Sequence, residues 1–370
     1  MLIKIDRSLT ENLNEEIVEA LRYLAIAIKE GKHKVIAKKE TLKPVLECAD
    51  LSANERAIYQ KLYNSVEFNA NLQVVSKYIE VLEPCPEPKL ELSGGKQIIK
   101  VPARFFNDSA KIQKTILLCE HDIDTKFYEI IVKVFRVWKQ LKSVPIDYTP
   151  IGAGGSLIAI EYQKNQNSRK NLCLCIVDSD RLSPSANLGG TAQKIQEIDD
   201  INLVFTQLII LKVRAVENLI PNSILSEVCQ SNRERSKALE ILESITDSSG
   251  IEVRNFLHLK EGSKFFHLAN SSNQAIKKFW QEKLGSIPTL SSRIAKECIE
   301  DWKCNVKKDE CECYIFSGFG AKLLEDSIEW LKKQDPHKIA QMVDTDLRTE
   351  WEYLGQQIVD WCFASSPIRG

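Results

Sequence analysis

The run KTILLCE at residues 114–120 decides the fold, because it is a short apolar stretch of the kind that parallel sheets bury on both faces. A helical pattern of apolar residues follows it over residues 124–141. Two further apolar runs, NLCLCIVDSD at 171–180 and INLVFTQLIIL at 201–211, predict two more strands. Strands that alternate with helices indicate βαβ units, so we predict an α/β fold with a mainly parallel sheet flanked by helices.

The rest of the chain predicts two flanking regions that are mostly helical. Residues 1–110 form a predicted N-terminal region for interaction or dimerisation, in which three prolines at 84–88 make a stiff connector before a hairpin turn at Ser93-Gly94-Gly95. Residues 111–235 form the α/β domain. Residues 236–370 carry several amphipathic helical patterns and form the predicted C-terminal region.

The charge balance limits what the chain can do with nucleic acid. Lys and Arg number 50 and Asp and Glu number 51, for a formal net charge of -1. A freely acting nucleic-acid binder usually carries a basic excess, so any nucleic-acid surface here must be local or shared with a partner.

The expected location of the protein and the expected state of its cysteines depend on two kinds of segment that the sequence does not show. No apolar run approaches the roughly 18 residues of a membrane span, and the first 16 residues contain no apolar signal core. We therefore expect a cytoplasmic protein with no membrane association. The 11 cysteines are then expected to be reduced.

Acidic residues follow two of the predicted strands. Glu120 ends the first, and Asp178-Ser179-Asp180 ends the second. Because residues i and i+2 of a strand point the same way, Asp178 and Asp180 would face one cation, unless the turn has already begun. Oxygen ligands suit Mg²⁺ or Mn²⁺. The alternative is that these acids cap helices or lie in loops, as acids after strands often do.

The order of these pieces resembles the Toprim domain of topoisomerases, primases and OLD-family nucleases. A strand ending in Glu120 is followed by Asp124, a glycine-rich turn at 152–155 and then Asp178-Ser179-Asp180. The resemblance covers residues 111–235 and implies that Glu120, Asp178 and Asp180 bind Mg²⁺, with Glu120 as a candidate general base. Asp124 matches an acid of the nuclease branch. His121 departs from the pattern, because many members have glycine there.

The turn contributes three candidate phosphate-binding residues, Gly152, Gly154 and Gly155. Glycines at such a turn allow a phosphate to approach backbone N–H groups closely. The same glycines would also serve any tight connection from a strand to a helix.

Two later segments resemble the nuclease branch in particular. Arg214-x-x-Glu217-Asn218 is similar to an Arg-Glu-x-Glu-Asn stretch whose carboxylate helps to bind a second metal, although Ala215 replaces the first Glu. The resemblance assigns Glu217 to metal and Arg214 to phosphate; the alternative is an ion pair on a helix surface. Lys260 matches a lysine that offsets charge on the transition state, or else is a solvated lysine in a turn.

Four cysteines lie within sixteen positions: Cys298, Cys304, Cys311 and Cys313. They could form a Cys₄ zinc site or remain reduced structural thiols. The spacing favours structural thiols, because the pairs are not Cys-x₂-Cys.

These observations predict a Mg²⁺-dependent endonuclease that acts on DNA or RNA. The resemblance implies a role as effector of a bacterial antiphage defence system, with a partner ATPase or as a homo-oligomer. A non-catalytic Toprim-like adaptor is the main alternative. A topoisomerase would need a further DNA-cleaving domain, and a primase would be expected to show a basic face and a clear zinc ribbon.

Overall fold

The computed structural model describes residues 1–65, 68–141, 144–155, 157–285, 290, 293–307 and 310–368. The chain forms two compact units. The first comprises Met1–Cys175, Ile198–Ile209 and Glu352–Gly370, and the second comprises Ile176–Glu197 and Ile210–Trp351. The three consecutive regions predicted from sequence follow other boundaries and stay a prediction.

The first unit begins with a five-stranded sheet. Its strands are β1 (Leu2–Ile5), β2 (Lys34–Ala37), β3 (Lys77–Val81), β4 (Lys89–Ser93) and β5 (Lys96–Val101). Their order is β2-β1-β3-β5-β4, with parallel pairing except in the β4–β5 hairpin. Gly94 and Gly95 have positive φ angles at the hairpin turn, which confirms the turn that was predicted there. The expectation of a mostly helical N-terminal region was therefore incomplete.

Helices connect these strands: α1 (Glu15–Glu30), α2 (Lys39–Glu47), α3 (Ala53–Asn64) and α4 (Phe68–Val74). The α1 helix begins where the Asn14 side chain accepts a hydrogen bond of 2.9 Å from the Ile17 N–H. It ends at Gly31, whose φ of 74° is the left-handed conformation that glycine adopts readily.

A four-stranded parallel sheet carries the segments that resemble a Toprim domain. Its strands are β6 (Ile116–Cys119), β7 (Thr149–Gly152), β8 (Cys173–Val177) and β9 (Thr206–Ile210), in the order β7-β6-β8-β9. Every residue of β6 and β8 is buried, as their apolar runs predict. The helices after these strands are α5 (Asp122–Trp138), α6 (Leu157–Ser168) and α7 (Gly190–Ile198). The predicted α/β fold with a mainly parallel sheet flanked by helices is confirmed.

Helices predominate from residue 222 onward. They are α8 (Asn222–Cys229), α9 (Arg233–Ser249), α10 (Phe265–Ala269), α11 (Gln274–Leu284), α12 (Lys296–Glu300), α13 (Leu323–Lys332), α14 (Pro336–Met342) and α15 (Thr345–Cys362). Two short strands, β10 (Ser263–Lys264) and β11 (Tyr314–Phe316), pair antiparallel. The α12 helix has only five residues.

The described residues also form short 3₁₀ helices at Arg7–Thr10, Ala103–Phe106, Ser109–Ile112, Val216–Leu219 and Ile251–Phe256. The last two are held together in the second unit by Arg254, whose buried guanidinium donates to the carbonyl oxygens of Asn218, at 2.7 Å, and Ile220. The Asn218 amide donates in return to the Arg254 carbonyl at 2.8 Å. This exchange satisfies buried polar groups that would otherwise destabilise the fold.

Within the described ranges, no helix has the length and apolar character needed to cross a membrane.

Candidate functional site

The segment after β8 leaves the strand at once. Asp178 is half-buried, Ser179 is fully buried and Asp180 is exposed. The Ser179 hydroxyl donates to the Val213 carbonyl at 2.7 Å, and Asp180 has a φ of 51°, in the left-handed region. Because β8 ends at Val177, Asp178 and Asp180 follow the strand and do not belong to it. The rule that residues i and i+2 of a strand point the same way therefore does not apply to them. The turn has already begun at Asp178, which was the alternative left open by the sequence.

Asp178 fixes the segment that carries two other predicted residues. Its Oδ1 accepts a hydrogen bond of 3.0 Å from the Val216 N–H, at the start of the 3₁₀ helix Val216–Leu219. A carboxylate at the start of a helix accepts a hydrogen bond from an N–H that has no partner within the helix, and its negative charge interacts favourably with the helix dipole. Glu217 lies half-buried within the same short helix. Asp178 therefore has a structural role, whatever else it binds.

Arg214 lies among three carboxylates of the second unit. Burial lowers the pKa of its guanidinium, while the nearby charges of Asp180, Asp178 and Glu261 raise it. Its backbone is fixed at both ends: the carbonyl accepts from the Asp180 N–H at 2.9 Å, and the N–H donates to the Asn255 carbonyl at 2.8 Å. The buried Nε has no hydrogen-bond partner among the described residues. These backbone contacts hold Arg214 in the segment that lies among the three carboxylates.

Asp180 and Arg214 line one open cleft of about 530 Å³ within the second unit. The remaining lining residues come mainly from the segment 256–268: Leu182, Phe256, His258, Glu261, Gly262, Ser263, Lys264, His267, Leu268 and Tyr314. The volume is in the range of small-molecule or nucleotide sites. Carboxylates and cations are thus mixed on the same walls.

His258 is held in this cleft by contacts within its own loop. Its Nδ1 accepts from the Glu261 N–H at 3.1 Å, and its Nε2 lies 3.8 Å from Glu261 Oε2. Its own N–H donates to the Ser263 hydroxyl at 2.8 Å. Burial, and then the positive charge of Arg214, lower the pKa of the imidazole. The three contacts fix the orientation of the ring.

Two glycines allow this wall of the cleft to form. Gly262 has a φ of 87°, and a Cβ there would lie 2.6 Å from the Phe316 carbonyl oxygen. Gly318 has a φ of 83°, and its Cβ would lie 2.5 Å from the Gly262 nitrogen. The two backbones approach so closely that neither position tolerates a side chain without movement.

Lys260, the lysine predicted from the sequence, is not among the residues that line the cleft. Lys260 is half-buried, and its carbonyl accepts from the Gly320 N–H at 2.9 Å. Lys264 lines the cleft instead, with its Nζ 5.3 Å from the centre of the Tyr314 ring. His258, Glu261 and Lys264 were not predicted as site residues. The sequence signal that pointed to this loop was Lys260-Glu261-Gly262, a polar turn with a glycine.

The remaining predicted residues belong to the first unit. Glu120 directly follows β6 and is half-buried, and its carbonyl accepts from the Gly154 N–H at 2.8 Å. Asp124 is buried and accepts from the His121 N–H at 2.9 Å, which caps α5. Asp124 therefore takes part in a helix cap, which is the alternative that was considered for acids that follow a strand.

The glycine-rich turn of the first unit combines close packing with open space. A Cβ on Gly152 would lie 2.4 Å from the Asp122 nitrogen, so packing against α5 requires glycine there. Gly154 and Gly155 have φ angles of 67° and 37°, and among the described residues no atom lies within 4 Å of the place where either would carry a Cβ. This side of the turn leaves the room that a phosphate contact would require.

Within the described ranges, no group of three or more His, Cys, Asp and Glu side chains is arranged as a metal site. Asp180 and Glu261 place two carboxylates among the lining residues of the second-unit cleft.

Searches with protein-family models, among curated proteins and among solved structures each found no match to this chain.

Proposed function

We propose that this protein is a Mg²⁺-dependent nuclease that hydrolyses phosphodiester bonds in DNA or RNA. The observation that carries the proposal is that Asp180 and Arg214, which were predicted from sequence as a metal ligand and a phosphate contact, line one cleft. Lys264 and Glu261 add a second cation and a second carboxylate to the same walls. Such a combination suits a phosphate group together with a divalent cation.

In this proposal, carboxylates of the protein and phosphate oxygens of the substrate bind the cation together. Mg²⁺ in nucleic-acid enzymes is usually held by one or two carboxylates together with phosphate oxygens of the substrate. Asp180 and Asp178 are the proposed ligands in the second unit. Glu217 and, in the first unit, Glu120 stay sequence-based candidates. When bound, the ion would polarise the phosphate and lower the pKa of a bound water.

The chain's own side chains have separate roles in this proposal. Arg214 and Lys264 bind the phosphate and offset its charge. His258, oriented by Glu261, is the candidate for a proton relay within the cleft. The few cations of the cleft suit a chain without a basic excess, whose contact with nucleic acid is local.

A second candidate is a non-catalytic adaptor. Two contacts favour it: Asp178 accepts from the Val216 N–H, and Asp124 accepts from the His121 N–H. In both cases an acid of the predicted site stabilises the start of a helix. In the adaptor the acids would be retained for folding alone, and the protein would act through binding to a partner.

The two candidates separate in a cleavage assay on the full chain. Supercoiled plasmid and total RNA are incubated with the protein in Mg²⁺, Mn²⁺ or EDTA, alone and with any ATPase encoded beside it. The nuclease proposal expects cleavage that needs the metal and is abolished by Glu120→Gln and Asp178→Asn. Cleavage that survives both substitutions, or no cleavage under any condition, would contradict it.

A further inference from the structure

The first unit contains a cavity of about 150 Å³. Its walls come from β6, from α5, from the segment 146–148 and from α15. All of its lining residues belong to the first unit, whereas the cleft of the proposed nuclease belongs to the second. We refer to it as the α5 cavity, because α5 contributes more of its lining residues than any other element.

The most deeply buried lining residues of the α5 cavity are apolar. Leu117 of β6, Tyr128 of α5 and Ile358 of α15 are each at most 2% exposed. Val132 and Ile146 add aliphatic surface to the lining. An apolar group that enters the cavity therefore leaves water for an apolar environment, which favours its binding.

The polar lining residues lie nearer to the solvent. Glu129 and Lys133 are exposed, and Arg136 and Tyr148 are half-buried. The three charged residues follow one another on α5 at spacings of four and three residues, so they share one face of the helix. A ligand with an apolar part and a charged part thus meets matching surroundings at the two ends of the cavity.

The charge of the polar end is positive. The Tyr148 hydroxyl donates to Glu129 Oε1 at 2.9 Å, so the carboxylate of the lining already accepts a hydrogen bond from the protein. Among the residues that the structure describes, the charged groups of Lys133 and Arg136 have no ion-pair partner. Two cations beside one carboxylate favour a ligand that carries a negative charge.

The wall formed by the segment 146–148 is fixed to the end of α15. The Asp147 N–H donates to the Cys362 carbonyl at 3.0 Å, and the Ala364 N–H donates to the Pro145 carbonyl at 2.9 Å. The tyrosine hydroxyl described above ties the same segment to α5. The fold itself therefore holds these walls together, as is usual for sites that bind small molecules.

The volume limits the ligand to a small molecule. A cavity of about 150 Å³ has room for a molecule the size of benzene. A ligand of this size can present one apolar group to the buried walls and one charged group to the polar end. A carboxylate accepts two parallel hydrogen bonds from a planar guanidinium and is smaller than a phosphate group.

We propose that the α5 cavity is a binding site for a small monocarboxylic acid with an apolar body. The carboxylate contacts Arg136 and Lys133, and the apolar body contacts Leu117, Val132 and Ile358. The site goes beyond the proposed nuclease activity and does not depend on it, because the α5 cavity and the cleft share no lining residue.

Calorimetric titration of the full chain tests the proposal. The probes are benzoate and isovalerate at neutral pH, where both are ionised, and the control for each is its neutral amide. We expect a Kd of about 1 mM or below for at least one acid. The amide has nearly the same shape but no charge, so its Kd should be about tenfold higher or more. Failure of both acids to bind, or equal affinity for an acid and its amide, would overturn the proposal.

Substitution of the half-buried arginine tests the assigned contact. Arg136→Gln should raise the Kd of the bound acid about tenfold, because a charged hydrogen bond to the carboxylate is lost. Lys126→Gln is the matched control, since Lys126 is an exposed cation of α5 that does not line the cavity. The control should bind the acid like the unmodified chain. Equal affinity in the two variants would contradict the assignment.

Methyl NMR of the unmodified chain locates the site without relying on a variant that folds. With ¹³C-labelled isoleucine methyl groups, the bound acid should shift the signals of Ile146 and Ile358, which line the α5 cavity. Ile79 of β3 is fully buried outside the cavity and should keep its chemical shift. Binding that leaves Ile146 and Ile358 unshifted would place the acid elsewhere and overturn the proposal.

Discussion

The Asp180 N–H donates a hydrogen bond of 2.9 Å to the carbonyl oxygen of Arg214. This contact joins the turn after β8 to the segment that leads into the 3₁₀ helix Val216–Leu219. It brings an exposed carboxylate and a half-buried guanidinium to one cleft, although 33 residues separate them in the chain. The proposed nuclease depends on this pairing more than on any single residue.

Substitution of Arg214 should weaken nucleic-acid binding. A guanidinium that donates to phosphate contributes about 1.5–3 kcal/mol, so Arg214→Ala should raise the Kd roughly tenfold to a hundredfold. It should also reduce the salt dependence of binding by about one counterion. Fluorescence anisotropy with labelled DNA and RNA over a salt series measures both quantities. Exposed Arg233 on α9 gives the control, Arg233→Ala. Equal losses in the two variants would count against a specific phosphate contact.

Asp178 offers a way to separate folding from chemistry. Because its Oδ1 caps the 3₁₀ helix Val216–Leu219, Asp178→Ala should lower the free energy of unfolding by about 1 kcal/mol. Asp178→Asn keeps an acceptor oxygen and should be close to the unmodified chain in stability. The nuclease proposal expects both variants to lose cleavage, because asparagine lacks the charge that a metal requires. Denaturant unfolding and the cleavage assay are compared. Full activity in Asp178→Asn would favour the adaptor.

Gly262 should be intolerant of a side chain. Its positive φ costs a non-glycine residue about 1–2 kcal/mol, and the contact with Phe316 adds a steric cost. Gly250 is the matched control: its φ of 90° is nearly the same, and a Cβ there would lie 4.0 Å from its nearest neighbour, the Cγ of Glu252. Gly262→Ala should therefore unfold at clearly lower denaturant than Gly250→Ala. Equal midpoints would mean that the loop relaxes without penalty.

The stability of the second unit should depend on pH through His258. Burial, and then Arg214, lower its pKa from the ordinary 6.5, so the unfolded chain binds the proton more tightly than the folded chain. This contribution is complete above pH 6.5 and is lost as the pH falls through the lower, folded-state pKa. His258→Asn should therefore flatten the decline of stability below neutral pH, relative to exposed His337→Asn. An unchanged slope would show that His258 titrates freely.

The four-stranded parallel sheet was predictable, whereas the N-terminal sheet was not. Runs such as ILLC of β6 and CLCIV of β8 are apolar throughout, and burial on both faces explains them. The strands LIKI of β1 and KVIA of β2 are four residues long and contain lysine, so local pattern does not distinguish them from helix or loop. Their pairing depends on contacts that are distant in sequence.

The site itself was predictable only in part. Asp180 and Arg214, which line the cleft, were predicted as site residues because their order along the chain resembles that of a known domain. His258, Glu261 and Lys264 join them through a loop whose position depends on the close approach of Gly262 and Gly318. That approach is a tertiary contact between distant segments, and no periodic pattern of the sequence predicts it. Conversely, the local spacing of His121 and Asp124 is that of a helix cap, and the structure uses it as one.

The most direct test of the nuclease proposal is the Mg²⁺-dependent cleavage rate of Asp180→Asn beside that of Asp247→Asn. Asp247 is an exposed aspartate on α9, outside the cleft, and provides the same chemical change. We predict that Asp180→Asn loses about a hundredfold or more in rate, because a lost metal ligand removes several kcal/mol of transition-state stabilisation. Asp247→Asn should cleave at the unmodified rate. Equal rates for the two variants would contradict the assignment of the cleft as the site of hydrolysis.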